Sequence, residues 1–112
     1  MEMTVVSDTP EALVLSFNGR LDLNGVNQID HSFKEKVATA ANVVVQMQEV
    51  SFLASLGMRM LMMAAKTLKT KQGKIVLIAP QEEVENALRM SGLDQLIPLV
   101  ENLDNAMQTI KG

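Results

Sequence analysis

Ser55 is the residue of this chain best placed to do chemistry. It follows a β-branched run and stands directly before Leu56–Lys69, a stretch dominated by strong helix formers. Serine is a favoured helix N-cap because its oxygen accepts a bond from an amide of the first turn, so the sequence predicts Ser55 as a cap. A hydroxyl there also sits at the positive end of a helix, where a phosphate would meet free amides and the helix dipole. Arg59 lies one turn further on, and Met62, Met63 and Lys66 continue the same face. Cations interleaved with soft apolar side chains on one face make a contact surface. The opposite stripe of Gly57, Leu61, Ala64 and Leu68 is uncharged and suits packing on a sheet.

Catalytic alternatives are weak. His31, the sole histidine, falls between Asp30 and Ser32 and off the neighbouring apolar stripe, which predicts an exposed structural role. A triad of Ser55, His31 and Asp22 can be written, yet Ser55 lacks the Gly-x-Ser-x-Gly elbow that strains a serine into a nucleophile. No Gly-x-x-x-x-Gly-Lys-Ser/Thr loop is present to cradle a nucleotide. Glu82, Glu83 and Glu85 form the one dense carboxylate group, and an acidic first helical turn accounts for them. The absence of cysteine excludes disulfides, zinc thiolates and cysteine nucleophiles. No set of residues has metal-ligand spacing, so the expectation is a non-enzyme with neither metal nor cofactor.

These side chains must be held by a small set of elements. Val43–Met47 and Ile75–Ala79 have the composition of buried strands, and the helix between them closes a βαβ unit with the two strands parallel. Gln48–Ser51 reads as a polar break after the first of these strands. Upstream, Met3–Ser7 and Ala12–Phe17 form an antiparallel hairpin, Asn18-Gly19 turns the chain, and a helix runs from about Val26 to Ala40. Its apolar positions Val26, Ile29, Phe33 and Val37 recur at helical spacing. Downstream, Pro80–Glu83 opens a third helix that Ser91-Gly92 ends. A short strand near Ile97–Val100 and a terminal amphipathic helix from Asn102 follow. The expected architecture is α/β, with about five strands in a mixed, mostly parallel sheet and helices mainly on one face.

At 112 residues the chain suits one domain with a real core. That core rests on aliphatic residues and nine methionines, with three Phe and no Trp or Tyr. The net charge is −3, and no stripe of Lys and Arg interleaved with aromatics points to nucleic acid. The start, Met1-Glu2-Met3-Thr4, has neither the basic flank nor the apolar run of a signal peptide, and no stretch approaches the roughly 20 apolar residues of a membrane span. A cytoplasmic protein without membrane insertion is expected.

The segment Val50-Ser51-Phe52-Leu53-Ala54-Ser55-Leu56-Gly57-Met58-Arg59 resembles the signature of the STAS domain, the family of bacterial anti-sigma factor antagonists, usually written Phe-Met-Asp-Ser-Ser-Gly-Leu-Gly. Gly19-Arg20-Leu21-Asp22 is similar to the family's Gly-x-Leu-Asp turn before its first helix, and Ile97–Asn102 to its last strand. Three pieces in the right order cover nearly the whole chain. The resemblance implies that Ser55 takes the place of the serine phosphorylated by the family's partner kinase. It also implies a partner-binding surface of Asp22, Ala54, Leu56, Gly57, Arg59, Met62, Met63 and Lys66. The implied partners are an anti-sigma factor serine kinase and a phosphatase, with the chain itself a monomer or weak homodimer. Ala54 stands where the family usually has aspartate, Leu56 replaces the second serine, and Gln46 and Gln48 replace Asp and Ser. Losing the aspartate removes a negative charge beside Ser55. A second implied function is therefore a constitutive STAS-like subunit of a lipid transporter or signalling assembly.

Overall fold

The two uncharged β-branched runs lie side by side and parallel in the middle of a sheet, where residues apolar on both faces can all be covered. A computed structural model describes residues 1–112 as five strands and four α-helices. In chain order these are β1 (Glu2–Asp8), β2 (Leu13–Leu21), α1 (Leu23–Thr39), β3 (Val43–Leu53), α2 (Ser55–Lys69), β4 (Ile75–Ile78), α3 (Glu82–Met90), β5 (Leu99–Val100) and α4 (Leu103–Lys111). A short 3-10 turn, Leu93–Gln95, joins α3 to β5. The strand order is β1-β2-β3-β4-β5, with β1 antiparallel to β2 and the other neighbours parallel. The mixed, mostly parallel α/β sheet expected from the sequence is the one observed.

The period-two alternation of the strands divides the core. Leu13, Leu15, Phe17, Val43, Val45, Met47, Ile75 and Leu77 join one cluster with the apolar stripes of α1, α2 and α3. Within it Phe17 and Phe33 meet edge to face, with ring centroids 5.6 Å apart. Val14, Val44, Val76 and Ile78 belong to a smaller cluster that α4 covers through Ala106. Three helices on one face and one on the other match the expectation.

Three boundaries differ from the sequence reading. Asn18-Gly19 does not turn the chain; β2 runs on to Leu21 with shifts of register between Ser16 and Asn18 and between Gly19 and Arg20. Gln48–Ser51 is not a break, because β3 runs on to Leu53, pairing Glu49 with Asn18 and Val50 with Gly19. Both misreadings share a cause. Where β2 and β3 run on as a pair, each satisfies the other's backbone, Leu21, Val50 and Leu53 stay in the core, and the outward side chains are free to be polar. Helix α1 begins at Leu23, ahead of the expected Val26, because the Asp22 side chain caps it by accepting from the Gly25 amide at 2.9 Å.

Candidate functional site

The paired extensions of β2 and β3 deliver two helix starts to the same end of the sheet. Leu21 and Leu53 are partners in the ladder, and each is followed by one linking residue and then a helix, α1 after Asp22 and α2 after Ala54. Two glycines permit this closeness. A Cβ on Gly57 would lie 2.9 Å from the Leu21 carbonyl oxygen and 2.8 Å from Leu53 Cδ1, and one on Gly25 would fall on the Arg20 carbonyl.

Ser55 does not cap α2. Because β3 continues to Leu53, the N-cap position falls to Ala54, which is extended and offers no side-chain bond, and Ser55 becomes the first helical residue. The Ala54 amide donates to the Leu21 carbonyl at 3.0 Å, fixing that link to β2. The first helical bond runs from the Met58 amide to the Ala54 carbonyl at 3.1 Å, so the amides of Ser55, Leu56 and Gly57 precede the helical ladder. Ser55 is exposed and its hydroxyl makes no hydrogen bond within the chain. The site thus offers a free hydroxyl, a row of free amides and a positive dipole end; Asp30, which shares a hollow with Leu56 and Arg59, is paired with Lys34 at 3.1 Å.

The face that continues from Ser55 is assembled much as helical spacing predicts. Ser55, Arg59, Met62, Met63 and Lys66 line one hollow of about 500 Å³ together with Met58, Ser91 and Leu93. Arg59 and Lys66 are exposed and form no salt bridge. The two methionines differ: Met63 is 45% exposed, whereas Met62 is half-buried and packs against the main core. Leu56 is 42% exposed. Gly57 is buried, so its place in the surface is to bring α2 close to β2 while others make contact.

Asp22 is held differently. Its second carboxylate oxygen takes Arg20 Nε at 3.3 Å, and the Gly25 amide, helped by that guanidinium, keeps the carboxyl below its ordinary value of 3.8. Arg20 in turn lies over the exposed Phe52 ring, 4.4 Å from its centroid. This Asp22–Arg20–Phe52 chain joins the two helix starts across the strand pair. The sequence contains Arg20 and Phe52 in the recognised segments, but their stacking depends on a strand pairing that sequence spacing does not reveal. The Ser91 and Leu93 wall of the hollow was likewise unforeseen, since it comes from the turn after α3.

His31 is exposed and faces Glu35 at 3.2 Å, while Asp22 is engaged by Gly25 and Arg20, so Ser55, His31 and Asp22 share no hydrogen bond. The acidic start of α3 is structural in part: Glu85 accepts Arg89 at 2.9 Å one turn on. No helix is long and apolar enough to cross a membrane.

The sequence matches the STAS domain family model over residues 3–106. No protein of curated function matches it at a significant level. Among solved structures, the anti-sigma factor antagonist SpoIIAA in its unphosphorylated form superposes with a TM-score of 0.83 at 20% identity, over 99% of this chain and 97% of that one. An anti-sigma factor antagonist from Mycobacterium paratuberculosis gives 0.85 at 23%, over 99% and 96%. The murine anion transporter Slc26a9 gives 0.77 at 15%, over 94% of this chain and 18% of that one. At such identities the likeness is one of fold.

Proposed function

The chain belongs to the STAS domain family, and from that premise we propose that it is an anti-sigma factor antagonist switched by phosphorylation of Ser55. Unphosphorylated, it binds an anti-sigma factor serine kinase and frees the sigma factor; phosphorylated, it lets go, and a phosphatase restores it. The observation that carries this reading is the exposed, unengaged hydroxyl of Ser55 on the first turn of α2, ahead of three amides outside the helical ladder.

A phosphate adds a charge of about −2. Held by the first-turn amides and by Arg59, it would leave the fold intact while placing repulsion and a desolvation cost where a partner had rested. Leu56, Met63, Arg59 and Lys66 supply the contact, Met62 its half-buried base, and Asp22, Ala54 and Gly57 the frame that presents it. SpoIIAA, a protein of the same fold, is known in both unphosphorylated and phosphorylated forms.

Ala54 and Leu56 favour a second reading, a constitutive subunit of a transporter or signalling assembly, since the usual acidic neighbour of the serine is missing. The deciding experiment incubates the protein with its candidate kinase and ATP, maps phosphate by mass spectrometry, and measures kinase binding by Ser55→Ala and Ser55→Asp. Phosphate on Ser55, retained binding by Ser55→Ala and weakened binding by Ser55→Asp are expected. No phosphate, with unchanged binding by Ser55→Asp, leaves the constitutive reading standing.

A further inference from the structure

The charge of α2 is out of keeping with the rest of the chain. The protein carries a net charge of −3, yet no acidic residue occurs between Val50 and Gln81, a stretch that holds Arg59, Lys66, Lys69, Lys71 and Lys74. Two of these cations are already engaged: Lys71 Nζ donates to the Val37 and Ala38 carbonyls, and Lys74 Nζ to that of Thr109. Arg59, Lys66 and Lys69 are exposed and have no carboxylate partner. All three lie on α2.

They border two successive hollows, which make up a furrow between α2 and residues 91–98. The hollow of about 500 Å³ that Arg59 and Lys66 line against Leu93 is followed, one turn further along α2, by one of about 430 Å³ that Lys69 lines against Leu96 and Pro98. Met58, Met62 and Leu93 give the first hollow an apolar floor, and Ala65, Ile75 and Leu96 carry apolar surface into the second beside the polar Gln72 and Gln95. No acid of the chain lines either hollow; Asp94, the nearest in sequence on the far wall, is turned to Arg89 at 3.3 Å.

We propose that the furrow between α2 and residues 91–98 is the seat of an acidic, amphipathic segment of a partner protein, with its carboxylates on Arg59, Lys66 and Lys69 and its apolar side chains on the methionine and leucine floor. Charge complementarity selects the partner's sign: desolvating three unpaired cations against a neutral or basic surface is unfavourable, and carboxylates remove that cost. Concavity and the acidic remainder of the surface favour a protein segment over an anionic bilayer, which is flat and would meet the chain's net negative charge. The inference deepens the reading above and rests on it for a partner at this face. It also gives the switch a direct route, because a phosphate on Ser55 would compete for Arg59 at the mouth of the furrow.

The test uses the full chain, labelled with ¹⁵N, and no kinase or nucleotide, so its failure is separate from failure of Ser55 phosphorylation. The probes are a short amphipathic helical peptide with leucines along one face and glutamates two turns apart, the same peptide with glutamine in place of glutamate, and phosphatidylglycerol vesicles. The glutamate peptide is expected to give saturable shifts in the exposed face of α2 and in residues 91–98. Its affinity should fall roughly tenfold with Arg59→Gln/Lys66→Gln, and fall further as salt rises. Lys66→Gln/Lys69→Gln provides a second variant, and cooperative unfolding of each is the control for folding. Equal binding of the glutamate and glutamine peptides, shifts elsewhere, or no saturable shifts would overturn the proposal. Cosedimentation with vesicles that depends on Arg59 and Lys66, without binding of the glutamate peptide, would assign the furrow to a membrane surface instead.

Discussion

Helices α1 and α2 start side by side at the ends of two paired parallel strands, each with a glycine pressed on the end of β2, and there the likeness stops. Asp22 closes the start of α1: its carboxylate takes the Gly25 amide and the Arg20 guanidinium. Ala54 closes nothing at the start of α2, so the first-turn amides and the Ser55 hydroxyl stay available. One terminus is satisfied by a side chain and the other is left open. The difference teaches that the family's usual aspartate is not needed to build this corner, since the backbone bond from Ala54 to Leu21 holds it.

The glycines are the shared part, and removing them should do the most damage. Gly25→Ala drives a methyl into the Arg20 carbonyl and is expected to cost about 3 kcal/mol even after the gain of ~1 kcal/mol in helix propensity. Gly57→Ala meets the Leu21 carbonyl less severely and should cost about 1.5 kcal/mol. Urea unfolding measures both. A neutral Gly57→Ala would mean that α2 can slide away from β2, and that the two starts are not held alike.

Giving α2 the missing cap should make the corners converge. Ala54→Asp is expected to stabilise the fold by about 1 kcal/mol, since a carboxylate there can accept from the Gly57 amide as Asp22 does from Gly25. Unchanged thermal stability would show that the β2 contact already satisfies this terminus.

The pH dependence should distinguish the two helix starts. The Asp22 carboxyl is held below 3.8 in the folded state, so its charge contributes stability that is fully present above that value and lost as pH falls through the lower, folded one. Asp22→Asn keeps a capping oxygen without the charge. The stability difference between the two forms should therefore stay constant from neutral pH down to about 3.8 and shrink below it. A difference that shrinks well above that range would place the titration on another group.

Ser55→Ala should have the smallest effect, within about 0.5 kcal/mol, because the hydroxyl makes no bond in the chain. A loss near 1 kcal/mol, read by calorimetry, would return Ser55 to the capping role that serine has before many helices.

Much of this was legible in the residues. Val43–Met47 and Ile75–Ile78 read as interior strands, because apart from Gln46 every residue in them is apolar and needs cover on both faces. The stripe Gly57, Leu61, Ala64 and Leu68 had to face a sheet, and by default Arg59, Met63 and Lys66 had to face away. The motif around Ser55 pointed to the family by itself. Local sequence determined these because side-chain periodicity and backbone propensity act over a few residues. Only the tertiary structure decided the rest. That β2 and β3 continue through Asn18-Gly19 and Gln48–Ser51 follows from each strand satisfying the other's backbone. The shift of the cap from Ser55 to Ala54 follows from that continuation. The furrow along α2 exists because residues 91–98, far away in sequence, form its second wall.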